Sequence, residues 1–142
     1  AQRPPRPFGS PADVVSSVAW LGLASVEELW SITVDSGLRF QSRSRLARGG
    51  RASCAIEPAD VLRHAVIDQA RGVFLVHNHP SGDPQPSEAD LRFTARVRRG
   101  ATALGIQLHD HIVVAGTEWV SELTGTRGQL PEVTLPSRGI ND

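Results

Sequence analysis

Within one stretch of this chain, two imidazoles, a hydroxyl and a carboxylate are spaced as a metal site spaces them. His77-Asn78-His79-Pro80-Ser81-Gly82 leads through Asp83-Pro84-Gln85-Pro86 into Ser87-Glu88-Ala89-Asp90. Side chains two residues apart on a strand share a face, about 7 Å apart along the chain, so one cation can take a nitrogen from His77 and from His79. Asp90 would add a carboxylate oxygen. Two nitrogens and one oxygen leave a fourth tetrahedral position for water, the arrangement of catalytic rather than structural zinc. Zinc in that setting lowers the pKa of water to about 7 and makes it a usable nucleophile.

The elements that must position these groups are legible around them. Val73-Phe74-Leu75-Val76, between Gly72 and the Pro80-Ser81-Gly82 turn, predicts a buried strand running into His77. Ser87 reads as a helix N-cap with Asp90 at N3, and the spacing predicts an amphipathic helix to about Leu104, stopped by Gly105. At about 100° per residue Asp90 shares the face of Phe93, Val97, Ala101 and Leu104, so its carboxylate points inward. A buried carboxylate is costly unless a partner or a metal offsets its desolvation. Ser-x-x-Asp is also an ordinary capping box, and His-Asn-His-Pro can be a plain polar loop. It is their coincidence that favours the metal.

His77-x-His79, seven residues, then Ser87-x-x-Asp90 resembles the signature of the JAMM (MPN-plus) metalloproteases, and His77 to Gly82 is similar to the form it takes in the bacterial RadC-like branch. The likeness extends from about Asp13 to Ser121 and includes Asp110-His111-Ile112-Val113-Val114, similar to that branch's last core strand. The resemblance implies an α/β, three-layer fold, a mixed curved sheet flanked by helices with a cytidine-deaminase-like overall shape. It implies one zinc ion held by His77, His79 and Asp90, with Ser87 steadying the attacking water or the oxyanion. A deaminase site is not indicated, because the Pro-Cys-x-x-Cys ligand pair is absent. Full-length RadC-like proteins usually carry a helical, helix-hairpin-helix-like region ahead of this domain, which these residues do not include.

The resemblance also calls for a glutamate just ahead of an early strand. Leu29 to Val34 reads as that strand, Asp35-Ser36-Gly37 as a turn, and Leu38 to about Leu46 as the returning strand. Glu28 shares the face of Trp30, Ile32 and Val34 and is expected to aim inward as general base, with Glu27 facing the opposite way. Glu27 and Glu57 stay open as alternatives. Glu57 precedes Pro58, the expected first residue of a helix to about Ala70, so it also suits a cap or helix-dipole complement.

Composition bounds the rest. The 142 residues suit one domain: an extended arm at 1–9, the metallopeptidase domain at 10–123, and a turn-rich tail at 124–142 in which only Val133 to Leu135 suggests an edge strand. No apolar run approaches a membrane span and no signal-peptide pattern opens the sequence, so a soluble, cytoplasmic protein is expected. The lone Cys54 excludes an internal disulfide and reads as a packing residue. All fifteen basic residues are arginine. An arginine-favouring genome explains this, as does escape from lysine-directed conjugation. Arg39, Arg43, Arg45, Arg48 and Arg51 form one basic group around the second strand; Arg92, Arg96 and Arg99 form another on the outer face of the long helix. A net charge of zero argues against strong non-specific DNA binding.

His109-Asp110-His111 places two more histidines on one face of the strand Ile106 to Ala115, with no further acid spaced to close a second metal site. A structural role for the Asp–His pair is expected, with a contact behind the zinc ligands left open. His64 is expected to have no special role. The function expected is that of a zinc-dependent metallopeptidase or isopeptidase acting on a protein substrate, which the resemblance extends to a ubiquitin-like protein ending in glycine. The alternatives are a nucleic-acid-processing role in DNA repair and a non-catalytic interaction domain.

Overall fold

The computed structural model describes residues 5–50 and 56–130. Arg51, Cys54 and the segment Val133 to Leu135 lie outside the described residues. The chain runs α1 (Pro11–Ser16), a 3-10 turn (Ala19–Leu23), β1 (Glu28–Val34), β2 (Phe40–Arg48), α2 (Pro58–Ile67), β3 (Gly72–Asn78), α3 (Glu88–Ala103), β4 (Gln107–Ala115), β5 (Glu118–Ser121) and β6 (Arg127–Gln129). The strands form one mixed sheet in the order β2-β1-β3-β4-β5-β6. Only β3 and β4 are parallel, joined by α3 as a crossover helix; every other neighbour is antiparallel.

The sheet is buried on both faces, because alternate side chains feed two separate cores. On one face Leu29, Val73, Leu75 and Leu108 pack with Val61, Leu62 and Ala65 of α2 and Phe93, Val97 and Ala101 of α3. On the other, Ile32, Val34, Phe74, Val76, Ile112 and Val114 pack with Val14 and Val15 of α1 and with Leu21. This is the three-layer α/β arrangement expected. The second layer seats tightly: Gly116 N donates to Gly22 O at 2.7 Å, and a Cβ on Gly22 would lie 1.8 Å from the Gly116 carbonyl oxygen.

Three element boundaries differ from expectation for local reasons. Leu104 is 55% exposed rather than inward, because α3 ends at Ala103 and the chain turns away through Gly105 at φ +71°. The second helix stops at Ile67, three residues short of Ala70, since Gln69 adopts φ +53° and Ala70 N closes back on Ala65 O. The added edge strand is β6, Arg127–Gln129, which pairs with β5 and lays Gly128 over the Trp119 ring. Turn-rich composition concealed it, since three residues are too few to show a period.

His64 has a structural role that its sequence context did not show. It ties α2 to the sheet, with Ser31 Oγ on its Nδ1 and Ser42 Oγ on its Nε2 at 2.8 Å. Thr33 Oγ1 donates to Asp68 Oδ2 at 2.6 Å, and Ser42 Oγ donates to the same oxygen. With its proton committed to Asp68, Ser42 accepts from the His64 Nε2–H, leaving Nδ1 to accept from Ser31: the neutral ring is the one satisfied. Burial lowers the His64 pKa, only partly opposed by the Asp68 charge, while hydrogen bonds from Ser42 and Thr33 lower that of Asp68.

A pH dependence follows. Because His64's folded pKa is depressed, the unfolded chain binds the extra proton between that value and its ordinary 6.5, and stability falls as pH drops through this window. The stabilisation tied to Asp68 is lost only lower, as pH falls below the unfolded value of 3.8. In urea titrations, the wild type should lose stability from pH 6.5 downward more steeply than His64→Gln, by up to about 1.4 kcal/mol per pH unit. Parallel curves for the two proteins would show that His64 is not buried neutral.

Candidate metal centre

His77, in the last turn of pleat of β3, pairs with Leu29 of β1 and is fully buried. The next residue in the sequence, Asn78, stitches the segment before β1 to the histidine strand. Its Oδ1 accepts from Glu28 N at 2.7 Å, and its Nδ2 donates to Val26 O at 2.9 Å and Ala24 O at 3.3 Å. Sequence reading gave Asn78 no role, although an amide flanked by two candidate ligands is well suited to satisfy a chain's donors and acceptors together.

His79 lies just past the strand end, held where its N donates to Val114 O at 2.9 Å. The chain then reverses through Gly82 at φ +93°, a conformation that glycine tolerates without strain. The turn brings the Asp83 carbonyl to 2.9 Å from His79 Nδ1. A carbonyl only accepts, so Nδ1 carries the proton and Nε2 presents its lone pair to the cluster. Asp90 comes from α3, where the capping box fixes it: Asp90 N donates to Ser87 Oγ at 3.0 Å and Ser87 N donates to Asp90 Oδ2 at 2.8 Å. The carboxylate is 2% exposed, pointing inward as the helical wheel required.

These three side chains converge. His77 Nε2 and His79 Nε2 are 3.0 Å apart, and each is 3.2 Å from Asp90 Oδ2. Ligand atoms about 2.0–2.1 Å from a tetrahedral zinc lie roughly 3.3 Å from one another, so this nearly equilateral triangle matches one face of a zinc coordination sphere. Protonation states fit as well. Burial pushes the His77 imidazole down to about 4, leaving it neutral. Burial acts to raise the Asp90 carboxyl, but the contacts with His77 and His79 and the Ser87 backbone N–H outweigh it and hold the group well below the usual range. The hydrogen bond to Asp90 raises His79, favouring a second proton on its Nε2 that a bound metal would displace. A neutral His77 and an ionised Asp90 are the forms that bind a metal.

The glutamate expectation needs correction. Glu28 does share the Trp30, Ile32, Val34 face, and that face belongs to the core opposite α2 and α3. Its carboxylate accepts from Trp30 Nε1 at 3.0 Å and lies 3.9 Å from Arg45. Glu27 is the acid on the histidine side: its Oε1 lies 3.9 Å from His77 Nε2, and its carboxylate, His77, His79 and Asp90 form one group with the reach to hold a metal ion. "Inward" was ambiguous because the sheet has two interiors. Glu57 caps α2, with its N donating to Asp60 Oδ2 at 2.9 Å and its carboxylate accepting from Arg96 at 2.7 Å. Ser87 Oγ serves as the helix cap and is exposed. Its hydroxyl proton is not needed for that bond.

The two later histidines separate. An extra residue in β4, between the Val73↔Leu108 and Phe74↔Asp110 pairings, breaks the alternation. His109 therefore stacks on Phe74 at 5.2 Å, while His111 turns to the opposite side and meets His77. Asp110 accepts from Ser121 Oγ at 2.6 Å and from Leu123 N at 3.3 Å, pinning the turn after β5. Of the basic residues, Arg43 lies over Trp20, and Arg92 and Arg96 pair with Glu88 and Glu57.

Taken together, a mixed sheet between helical layers carries, at one strand end, a buried His-His-Asp triangle with the reach to hold a metal ion, which defines the class of α/β domain. The chain belongs to the RadC-like JAB domain family, whose model matches residues 8–126, and so to the wider JAMM/MPN-related group. A UPF0758 protein of Salinibacter ruber is 41% identical over 76 residues, 54% of this chain and 33% of that protein. Another, of Bordetella petrii, is 39% identical over 101 residues, 71% of this chain and 45% of that protein. A third, of Clostridium perfringens, is 34% identical over 115 residues, 80% of this chain and 51% of that protein. The chain thus spans about half or less of these relatives. Among the described residues no helix is long and apolar enough to cross a membrane.

The triangle predicts metal stoichiometry. The purified protein, dialysed against zinc and analysed by metal mass spectrometry, should hold about one ion per chain, with His79→Ala and Asp90→Ala each losing it. Glu27→Gln should retain it. Zinc kept by Asp90→Ala would move the site elsewhere.

Proposed function

We propose that this chain is a zinc-dependent peptidase or isopeptidase that hydrolyses an amide bond of a protein substrate. The single observation that carries this reading is the His77–His79–Asp90 triangle, with the Glu27 carboxylate beside it and outside it. Zinc bound there would supply Lewis acidity, lowering the pKa of water to about 7 and polarising the scissile carbonyl.

The chain's own residues account for the remaining steps. Glu27 Oε1 is 3.9 Å from His77 Nε2, whereas the three ligand atoms are 3.0–3.2 Å from one another. That wider spacing suits a proton acceptor better than a fourth ligand at roughly 3.3 Å. Glu27 takes a proton from the water as its oxygen attacks the carbonyl carbon, then returns that proton to the leaving nitrogen as the C–N bond breaks. Ser87, whose oxygen caps α3 as an acceptor, has its O–H to donate to the carbonyl oxygen as negative charge develops. Asn78 holds the backbone at Val26 and Glu28 to the histidine strand, and so fixes Glu27 between them.

A substrate with a flexible C-terminal glycine tail, as in ubiquitin-like proteins, suits a site at a strand end near the surface. His79 is only 17% exposed and Glu27 18%, so the bond to be cut must reach the cluster in a narrow, extended form. Glycine offers the least steric opposition to that approach.

The test is a pair of variants assayed on ubiquitin-like fusions with the metal content measured in parallel. Glu27→Gln should keep zinc and lose about 100- to 10,000-fold in turnover, the usual contribution of a general base. Glu28→Gln should retain most activity and lose stability. If Glu28→Gln abolishes turnover in a folded, zinc-loaded protein and Glu27→Gln does not, the base assignment is reversed.

A further inference from the structure

Behind His77 a chain of hydrogen bonds runs away from the metal cluster into the protein. His77 Nδ1 lies 2.6 Å from His111 Nε2, and His111 Nδ1 lies 2.6 Å from Thr94 Oγ1, with Glu122 Oε2 3.0 Å away in charge contact but out of line for a hydrogen bond. Thr94 Oγ1 in turn reaches Glu122 Oε1 at 2.7 Å and Asp90 O at 2.8 Å. His77 and His111 have no exposed surface, and the Glu122 side chain is 1% exposed.

His77, His111 and Glu122 also have the reach to hold a metal ion, so two readings compete. Distance decides between them. Two nitrogens on one tetrahedral zinc stand roughly 3.3 Å apart, and these stand 2.6 Å apart, which is a hydrogen bond. The group is a relay.

Counting protons gives the relay a direction. For Nε2 of His77 to offer a lone pair, its proton must sit on Nδ1. His111 Nε2 is the atom facing that proton, so it must be the unprotonated one, and the His111 proton then sits on Nδ1. The Thr94 oxygen accepts it, its own proton passing to Asp90 O or Glu122 Oε1. A backbone carbonyl has no proton to return, so the donation from Thr94 to Asp90 O sets the polarity from the Thr94 end.

We propose that His111, anchored by Glu122 and Thr94, is a positioning residue that sets the tautomer of His77 and turns its Nε2 lone pair toward the metal cluster. The benefit to metal binding rests on the reading of that cluster as a zinc site; the tautomer does not. Hydrogen-bond partners behind a metal-bound histidine typically alter metal affinity by about 10- to 100-fold. The fold supplies Glu122 through the β4–β5 hairpin, whose register sets Ile112 opposite Ser121, and Glu122 N donates to His111 O at 2.9 Å.

The test uses the whole chain, labelled with 15N-histidine, metal-free and at about pH 8, where an ordinary imidazole is neutral. In the wild type, His77 and His111 should both show the Nδ1–H form. In His111→Phe, which fills the ring volume without an acceptor, His77 should change to the Nε2–H form, and zinc affinity should drop about 10- to 100-fold. Glu122→Leu, which leaves Thr94 as acceptor, should move both readouts in the same direction by less, and it keeps the test available if His111→Phe does not fold. A wild-type His77 in the Nε2–H form overturns the proposal, as does a folded variant with an unchanged tautomer. Tautomers that shift as stated in a protein taking up no zinc would uphold the relay and sink the metal reading; zinc bound alike by wild type and folded variants, without a tautomer change, would do the reverse.

Discussion

A neutral histidine has two ring nitrogens and one proton, and His77 has both nitrogens committed in a site without solvent. One faces His111, the other faces His79 and Asp90. In water either nitrogen could carry the proton with little consequence. Here the choice decides whether three donors converge on a cation or whether a proton stands in its place. Much of the surrounding structure serves that choice. The parallel β3–β4 pairing brings His111 beside His77, the β4–β5 hairpin brings Glu122 beside His111, and α3 brings Asp90 and Thr94 from the same helix face.

The capping of α3 shows how one residue can serve folding and chemistry together. Asp90 Oδ2 accepts from Ser87 N, which stabilises the helix start, and the same oxygen forms a corner of the donor triangle. An inward carboxylate at N3 would be costly on its own. Two imidazoles and a backbone N–H share the cost of desolvating it, and they hold it ionised. The capping-box and metal-ligand readings of Ser87-x-x-Asp90 were therefore never exclusive. Away from the cluster, the Ser31, Ser42, Thr33, His64 and Asp68 group does a different job, locking α2 against β1 and β2 with every hydroxyl partnered.

Two acids adjacent in sequence end up on opposite sides of a sheet that is buried on both. Glu28 supports Trp30 on the side of α1; Glu27 stands beside the histidines on the side of α2 and α3. The same logic governs His109 and His111. Alternation alone puts them on one face, and a single extra residue in β4 sends His109 to Phe74 and His111 to His77. A bulge leaves little mark on a sequence, because it changes the count on one strand only relative to another strand.

The sequence by itself determined the strand that carries His77, the helix that carries Asp90, the inward aim of that carboxylate, and so the convergence of three side chains with the reach to hold a metal ion. Each of these depends on residues within a few positions of one another, where the strand period of two and the helix period of 3.6 apply without reference to the rest of the chain. Tertiary structure decided which glutamate stands at the cluster, that Asn78 fixes it there, and that His111 and Glu122 stand behind His77. Those depend on register between strands distant in sequence, and on which of two cores a face meets. A hairpin register of the Gly116-Thr117 turn could have paired His111 with Glu122 from the sequence, but only once β4 and β5 were known to be neighbours. Periodicity says that a side chain is buried; only the packed layers say beside what.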